Sequence, residues 1–264
     1  MLIVCNGIFK SGSSWLHAII LEILRINKIK LSEVPIIYTN NVNSPTTIIE
    51  SKLAKFLEEE DYINRHYITK SHYYLKKTIA KSYDLNVHFL FVERDVRDAI
   101  VSHYHHLKKK YVSILGFRMY YFFIGRLKAF EIVNFNRRYK KAFGEDNFFK
   151  YSEMKNDFES IVLKVATILN LKRLSKEEIL IIKNNTSIGK MRSDLVAGKL
   201  KYYSTVSKDR EDLIRKGMVG DWVNYFSKRQ AKDIKKIEAF RVSFILRVVY
   251  LIVFTLRRRL FRIE

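Results

Sequence analysis

Gly7-Ile8-Phe9-Lys10-Ser11-Gly12-Ser13-Ser14-Trp15-Leu16 is the stretch on which the fold turns. A short apolar run, Leu2-Ile3-Val4-Cys5, leads in, and an amphipathic run from Trp15 to Arg25 leads out. The order is strand, tight turn, helix. Such a turn aims several backbone N–H groups and the positive end of a helix at one spot, which suits a phosphate-like anion. Gly12 permits a close bend, Lys10 adds a charge, and Ser11, Ser13 and Ser14 add hydroxyl donors. The spacing approaches the nucleotide pattern G-x-x-x-x-G-K-[ST]. Gly7, Gly12 and Ser14 fit it, but Ser13 takes the lysine position and Lys10 lies ahead of the second glycine. Read alone, the stretch is either a P-loop-like anion site or a strand, turn and helix with incidental serines.

Working outward, Leu16, Ile19, Ile20, Ile23 and Leu24 share one face of a helix over 13–24. Residues 27–48 hold both prolines and read as loop with short extended pieces; Ile48 to Glu60 reads as helix. Tyr67 to Lys70 is a short strand, followed by a helix from Leu75 to Ser82. Val87-His88-Phe89-Leu90-Phe91-Val92 is apolar almost throughout, as a parallel strand buried on both faces must be. Val96 to Lys109 follows as helix, then two helices within 111–143, a strand Phe148 to Tyr151, and helices over Phe158 to Leu169 and Lys176 to Lys183. Residues 185–226 read as mostly irregular, and Lys228 onward as helix to the end. Strands alternating with helices predict an α/β fold with three layers around a central parallel sheet.

The composition suits one large domain over 1–239 with an appended helix over 240–264. The chain has 264 residues, 48% of them hydrophobic and 14% aromatic, which excludes a disordered chain. A net charge of +22 calls for an anionic partner without choosing among a phosphorylated nucleotide, an acidic polymer, nucleic acid or an anionic membrane. The single cysteine, Cys5, forbids an internal disulfide and reads as an inert core thiol in a reducing compartment. Residues 2–9 lack the features of a secretory leader, and no uncharged apolar run reaches membrane-spanning length, so the expected location is cytoplasmic.

Three further stretches bear chemistry. Arg94 stands just past the buried strand, where ligands bind in open α/β sheets, and Ser102 lies on the helix that follows. A guanidinium fork and a hydroxyl there would grip a phosphate; the plainer reading pairs Arg94 with Asp98 on the surface. In Thr69-Lys70-Ser71-His72, an extended chain points Lys70 and His72 to the same side, and an imidazole takes a proton near neutral pH. Ile214-Arg215-Lys216-Gly217-Met218-Val219-Gly220-Asp221-Trp222 is basic, with two glycines that let a loop wrap a ligand closely. His103, His105 and His106 share no tidy helical face and no carboxylate completes a set, so no metal site is expected.

These stretches, in this order, resemble the cytosolic-type sulfotransferases that use 3′-phosphoadenosine 5′-phosphosulfate (PAPS). Lys10 to Leu16 is similar to that family's K-S-G-T-T-W-L, Lys70-Ser71-His72 to K-[ST]-H, and Arg94 to Tyr104 to R-[DN]-P-[KR]-D-x-x-V-S-x-Y, with Val96 in place of proline. Residues 215–226 are similar to R-K-G-x-x-G-D-W-x-x-x-F, the most specific match. Tyr151 to Lys155 looks like Y-E-D-M-K, and Thr186-Ser187 like T-S-F, with Ile188 replacing the aromatic. The resemblance implies sulfuryl transfer from PAPS to an acceptor hydroxyl, releasing PAP, without metal. It implies His72 as general base, with Lys10 and Lys70 stabilising the transferring group. The nucleotide would be held by Lys10, Ser11, Gly12, Ser13, Ser14, Trp15, Arg94, Ser102, Tyr151, Ser187, Arg215, Lys216 and Gly217. A nucleotide kinase using the Gly7–Ser14 loop is the competing enzyme class; a nucleic-acid-binding protein would leave the ordered motifs unexplained.

The acceptor is expected to be a glycan or a lipid-linked molecule, against a small alcohol as the alternative. Its pocket should draw on residues 31–50, 73–77, 107–130 and 190–212. Phe240 to Arg262 holds six arginines and no acid, with Val248 to Leu256 uncharged. Such a helix lies on an anionic membrane surface, docks on the domain, or meets a second copy of the chain.

Overall fold

A computed structural model describes residues 1–40, 44–59, 62, 64–72, 86–110, 116–199, 214 and 216–260. The expected helix over 75–82, the expected pocket stretch 73–77 and residues 200–212 lie outside them, as does Arg215.

The backbone elements follow the hydrophobic pattern closely. β1 (Leu2–Asn6), β4 (Tyr67–Ser71), β5 (Val87–Glu93) and β6 (Phe148–Lys150) form one sheet in the order β4-β1-β5-β6. Every pairing is parallel, with Asn6 beside both Ser71 and Phe91 and Glu93 beside Lys150. β2 (Thr39–Asn40) and β3 (Ser44–Ile48) make a separate antiparallel pair. Among the described residues the helices are α1 (Ser13–Ile26), α2 (Leu53–Leu57), α3 (Val96–Lys110), α4 (Phe117–Tyr120), α5 (Arg126–Phe143), α6 (Tyr151–Asn156), α7 (Phe158–Ile168), α8 (Lys176–Asn185), α9 (Ile188–Val196), α10 (Lys228–Glu238) and α11 (Phe244–Leu260). The expected α/β architecture, a central parallel sheet flanked by helices, is present.

Several boundaries depart from the sequence reading. The helix expected over 48–60 shrinks to α2, because Ile48 ends a strand and a short 3-10 turn over Glu50–Lys52 intervenes. Tyr151 opens a helix rather than closing a strand. The stretch 185–226 contains a helix, α9, whose N-cap is the Ser187 hydroxyl accepting from the Lys190 N–H. The two helices expected within 111–143 are joined by a π turn over Tyr121–Gly125. The final helix is broken at Ala239, so α10 and α11 are separate.

The chain gathers into two compact units. One comprises Met1–Glu93 and Phe143–Gly217, the other Arg94–Ala142 and Met218–Glu264. The first contains the sheet. Its β1 is buried at every residue, and α1 lays Leu16, Ile19, Ile20, Ile23 and Leu24 against β1, α7 and α8. The second unit is helical. Tyr121 and Arg126 both donate to the Asp233 carboxylate, at 2.8 Å each, which ties the π turn to α10.

Candidate active site

In the first unit the carboxyl ends of β1, β4 and β5 lie side by side, because Asn6 is in register with Ser71 and Phe91. The loop after β1, the Lys70–His72 segment and the end of β5 therefore share one edge of the sheet, where an open α/β fold binds its ligand.

The loop after β1 is shaped for an anion. Gly12 is the N-cap of α1 with φ of 107°, and no side chain caps the first turn, which also carries no acid. Its amides point outward into a positive end that favours negative charge. A Cβ on Gly12 would stand 2.5 Å from Tyr151 Cδ2, so backbone and ring touch there. Lys10 is held at φ of 61°, a left-handed conformation that a lysine keeps only when its surroundings enforce it. Ser11 and Ser13 are buried, and the Ser11 hydroxyl has no hydrogen-bond partner among the described residues. Lys10, Ser14 and Trp15 are half-buried. An uncapped helix start, a strained lysine and a buried unsatisfied hydroxyl fit a bound phosphate or sulfate group.

His72 is exposed and stands against this loop, its Nδ1 bonded to the Gly7 carbonyl oxygen. A carbonyl only accepts, so Nδ1 carries the proton and Nε2 is the basic nitrogen of the neutral ring. Lys70 is half-buried on β4. Its charge reaches two groups beneath the sheet edge. Burial lowers the His17 imidazole to about 3, with Lys70 pushing the same way. Burial also raises the Cys5 thiol, with Lys70 opposing, which leaves Cys5 an inert thiol.

Tyr151 and Trp15 meet edge to face at 5.4 Å, and Trp15 Nε1 donates to the Thr186 carbonyl at 2.9 Å. Tyr151 also approaches Gly217: a Cβ on Gly217 would lie 3.2 Å from its hydroxyl and 2.1 Å from Ile188 Cδ1. With φ of 60° as well, that position admits only glycine without rearrangement. Ile188 thus serves as a wall for Gly217. Lys216 is exposed beside it.

In the second unit Arg94 Nη2 donates to the Met218 carbonyl at 2.8 Å, and Ser102 is buried on α3. Asp95 caps α3 through the Arg97 N–H and binds the Arg97 guanidinium, which covers the Trp222 ring at 3.7 Å. Val96, at the first helical position where proline is favoured, costs little, because an N–H there has no intrahelical partner to lose. Asp98 differs from expectation. It is 2% exposed, not a surface partner, and its two oxygens accept from the Gly220 N–H at 2.7 Å and the Trp222 N–H at 3.0 Å. It clamps the glycine-rich loop to α3. Sequence reasoning missed this clamp, since a carboxylate one turn beyond an arginine looks like an ion pair. His103 and His105 each meet a tyrosine hydroxyl, Tyr120 and Tyr225, at 2.8 Å, and His103 is buried.

Residues 2–239 match the sulfotransferase domain family. A guinea-pig 3-beta-hydroxysteroid sulfotransferase is 27% identical over 235 residues, 86% of this chain and 79% of that protein. Human sulfotransferase 2A1 is 35% identical over 99 residues, 35% of this chain and 33% of that protein. Among solved structures, mouse sulfotransferase SULT7A1 complexed with PAP shares the fold at a TM-score of 0.67 and 20% identity, covering 96% of this chain and 88% of that one. A retinol dehydratase solved with retinol and PAP follows at 0.58 and 19%, covering 89% and 79%.

Proposed function

The chain belongs to the PAPS-dependent sulfotransferase family, and from that premise we propose that His72 is the general base of its sulfuryl transfer. The observation that carries this is the bond from His72 Nδ1 to the Gly7 carbonyl, which holds the imidazole against the phosphate loop with Nε2 as the basic nitrogen. The acceptor hydroxyl oxygen forms a bond to sulfur as the bond from sulfur to the bridging phosphate oxygen breaks. The hydroxyl proton passes to Nε2, and the products are a sulfate ester and PAP. Chemistry of this kind is mostly positioning and charge stabilisation. Lys10 neutralises charge on the departing phosphate, and Lys70 the sulfuryl oxygens. Trp15 offers one face to the adenine ring, and Tyr151 beside it makes an edge contact. The resemblance to the family assigns Arg94, Ser102, Arg215, Lys216 and Gly217 to the 3′-phosphate, and Ser11, Gly12, Ser13 and Ser14 to the 5′ end. Ser187 contributes through the helix it caps.

The acceptor is a hydroxyl on a lipid-linked or glycan molecule. The names of relatives, a 3-beta-hydroxysteroid sulfotransferase and a flavonol 3-sulfotransferase, favour a second reading, a small apolar alcohol. A cytoplasmic location accords with a relative named cytosolic sulfotransferase 15.

The test is calorimetric binding of PAP against ATP, with turnover of labelled PAPS, in the wild type and in His72→Ala and Arg94→Ala. His72→Ala should lose about 10²–10⁴-fold in kcat with PAP affinity retained. Arg94→Ala should weaken PAP by about 10- to 150-fold, the worth of a charge-assisted contact. Near-normal turnover in His72→Ala removes the base assignment; ATP binding as tight as PAP favours the kinase.

A further inference from the structure

Helix α11 has one side docked and the other bare. Tyr250 is buried, its ring 4.9 Å from Phe130 and its hydroxyl accepting from Asn134 Nδ2 at 3.4 Å. Counting about 100° per residue from Tyr250, Leu251, Phe244, Ile252, Ile245, Val249 and Val253 fall between about 100° and 300°, on the opposite side. All six are exposed, Phe244 by 79% and Ile245 by 73%. A continuous aliphatic and aromatic face of this breadth marks a contact surface, since isolated exposed apolar residues are ordinary and a contiguous set is not.

Charge decides the occupant. From Ala239 to Ile263 the chain carries Arg241, Arg247, Arg257, Arg258, Arg259 and Arg262 and no acidic residue. The uncharged run Val248 to Leu256 is bracketed by Arg247 and by Arg257-Arg258-Arg259. Arg247 is exposed at the border of the bare face, where its Nη2 also ties back to the Phe240 carbonyl at 2.8 Å. A second copy of the helix offers the same positive charge and nothing to neutralise it. No helix among the described residues is long and apolar enough to cross a membrane. We propose that the bare face of α11 lies on the surface of an anionic lipid bilayer, apolar side chains in the acyl boundary and arginines among the headgroups. Membrane contact of this kind needs no sulfotransferase activity and is tested apart from it.

The experiment is co-sedimentation of the full chain with vesicles of phosphatidylcholine alone and of phosphatidylcholine mixed with phosphatidylserine, at low and high salt. The wild type should pellet with the mixed vesicles, release as salt rises, and stay in solution with the neutral ones. Ile245→Asp with Ile252→Asp, both at exposed positions, should cut vesicle binding by more than about tenfold while helicity by circular dichroism and PAP binding persist. Equal pelleting of wild type and variant overturns the proposal. So does a wild type that ignores lipid, and so does a wild-type dimer by light scattering that the variant abolishes, which would assign the face to a second copy.

Discussion

Helices α1 and α11 are built from the same kind of residue and meet opposite surroundings. In α1 the aliphatic side chains at 16, 19, 20, 23 and 24 are fully buried, because β1, α7 and α8 close over them. In α11 only Tyr250 among residues 244–253 is buried, and six apolar neighbours face outward. The 3.6-residue period announces an apolar face in both. It does not say what covers that face. Coverage is a property of the other elements, and the comparison separates apolar residues that hold the fold from those kept for a partner.

The comparison is broken most directly by truncating one residue on each helix. Ile19→Ala removes a fully buried side chain between sheet and helices and should cost about 2–5 kcal/mol. Ile252→Ala removes an exposed one and should stay within about 0.5 kcal/mol. Urea unfolding of both variants by linear extrapolation measures this. A comparable loss at Ile252 would mean that α11 is covered in solution.

The same distinction governs what was legible in the sequence. The strand from Val87 and the helix from Ser13 were readable because burial on one or two faces imposes a local pattern. The turn after β1 was readable because a tight bend from strand into helix needs Gly12. Long-range geometry left no such trace. That Ile188 walls Gly217, that Lys70 reaches Cys5 and His17, and that His72 returns to the Gly7 carbonyl depend on strands and loops distant in sequence. α9 was missed because four residues with little apolar period, Ser187 to Lys190, begin it through a cap rather than a face. Asp98 was misjudged because its partners are backbone amides more than a hundred residues away.

Asp98 sharpens the comparison within the second unit, where it is a buried charge rather than a bare apolar face. Replacing it by Ala leaves the Gly220 and Trp222 N–H groups without their acceptor, each worth about 1–3 kcal/mol if left buried and unpaired. The loop that also receives Arg94 through the Met218 carbonyl would loosen. The expected outcome is a PAP affinity lower by about tenfold, with kcat at saturating PAPS largely kept. Asp98→Asn keeps one acceptor oxygen and should fall between the two. A kcat loss as deep as that of His72→Ala, with PAP affinity intact, would assign Asp98 to the chemistry instead of to the loop.

A pH-dependent effect probes the interior of α1 itself. His17 is buried, and its imidazole is lowered to about 3 by that burial, with the Lys70 charge adding to it. The unfolded chain takes up a proton at His17 near pH 6.5, while the folded chain keeps the ring neutral well below that. The unfolded state therefore binds more protons between those values, and stability falls as pH falls. The contribution is fully present above pH 6.5 and declines at about 1.4 kcal/mol per pH unit below it. His88 and His66 are lowered by burial in the same sense, so the wild-type curve alone does not isolate His17. Urea unfolding of the wild type and of His17→Gln at pH 7 and at pH 5.5 does. The stability advantage of the wild type should shrink by about 1.4 kcal/mol over that interval. Parallel curves would mean that the folded chain protonates His17 as readily as the unfolded one. Helix α1 would then tolerate a second positive charge beneath Lys70, and the sheet edge that carries Lys70 and His72 would be better solvated than its burial implies.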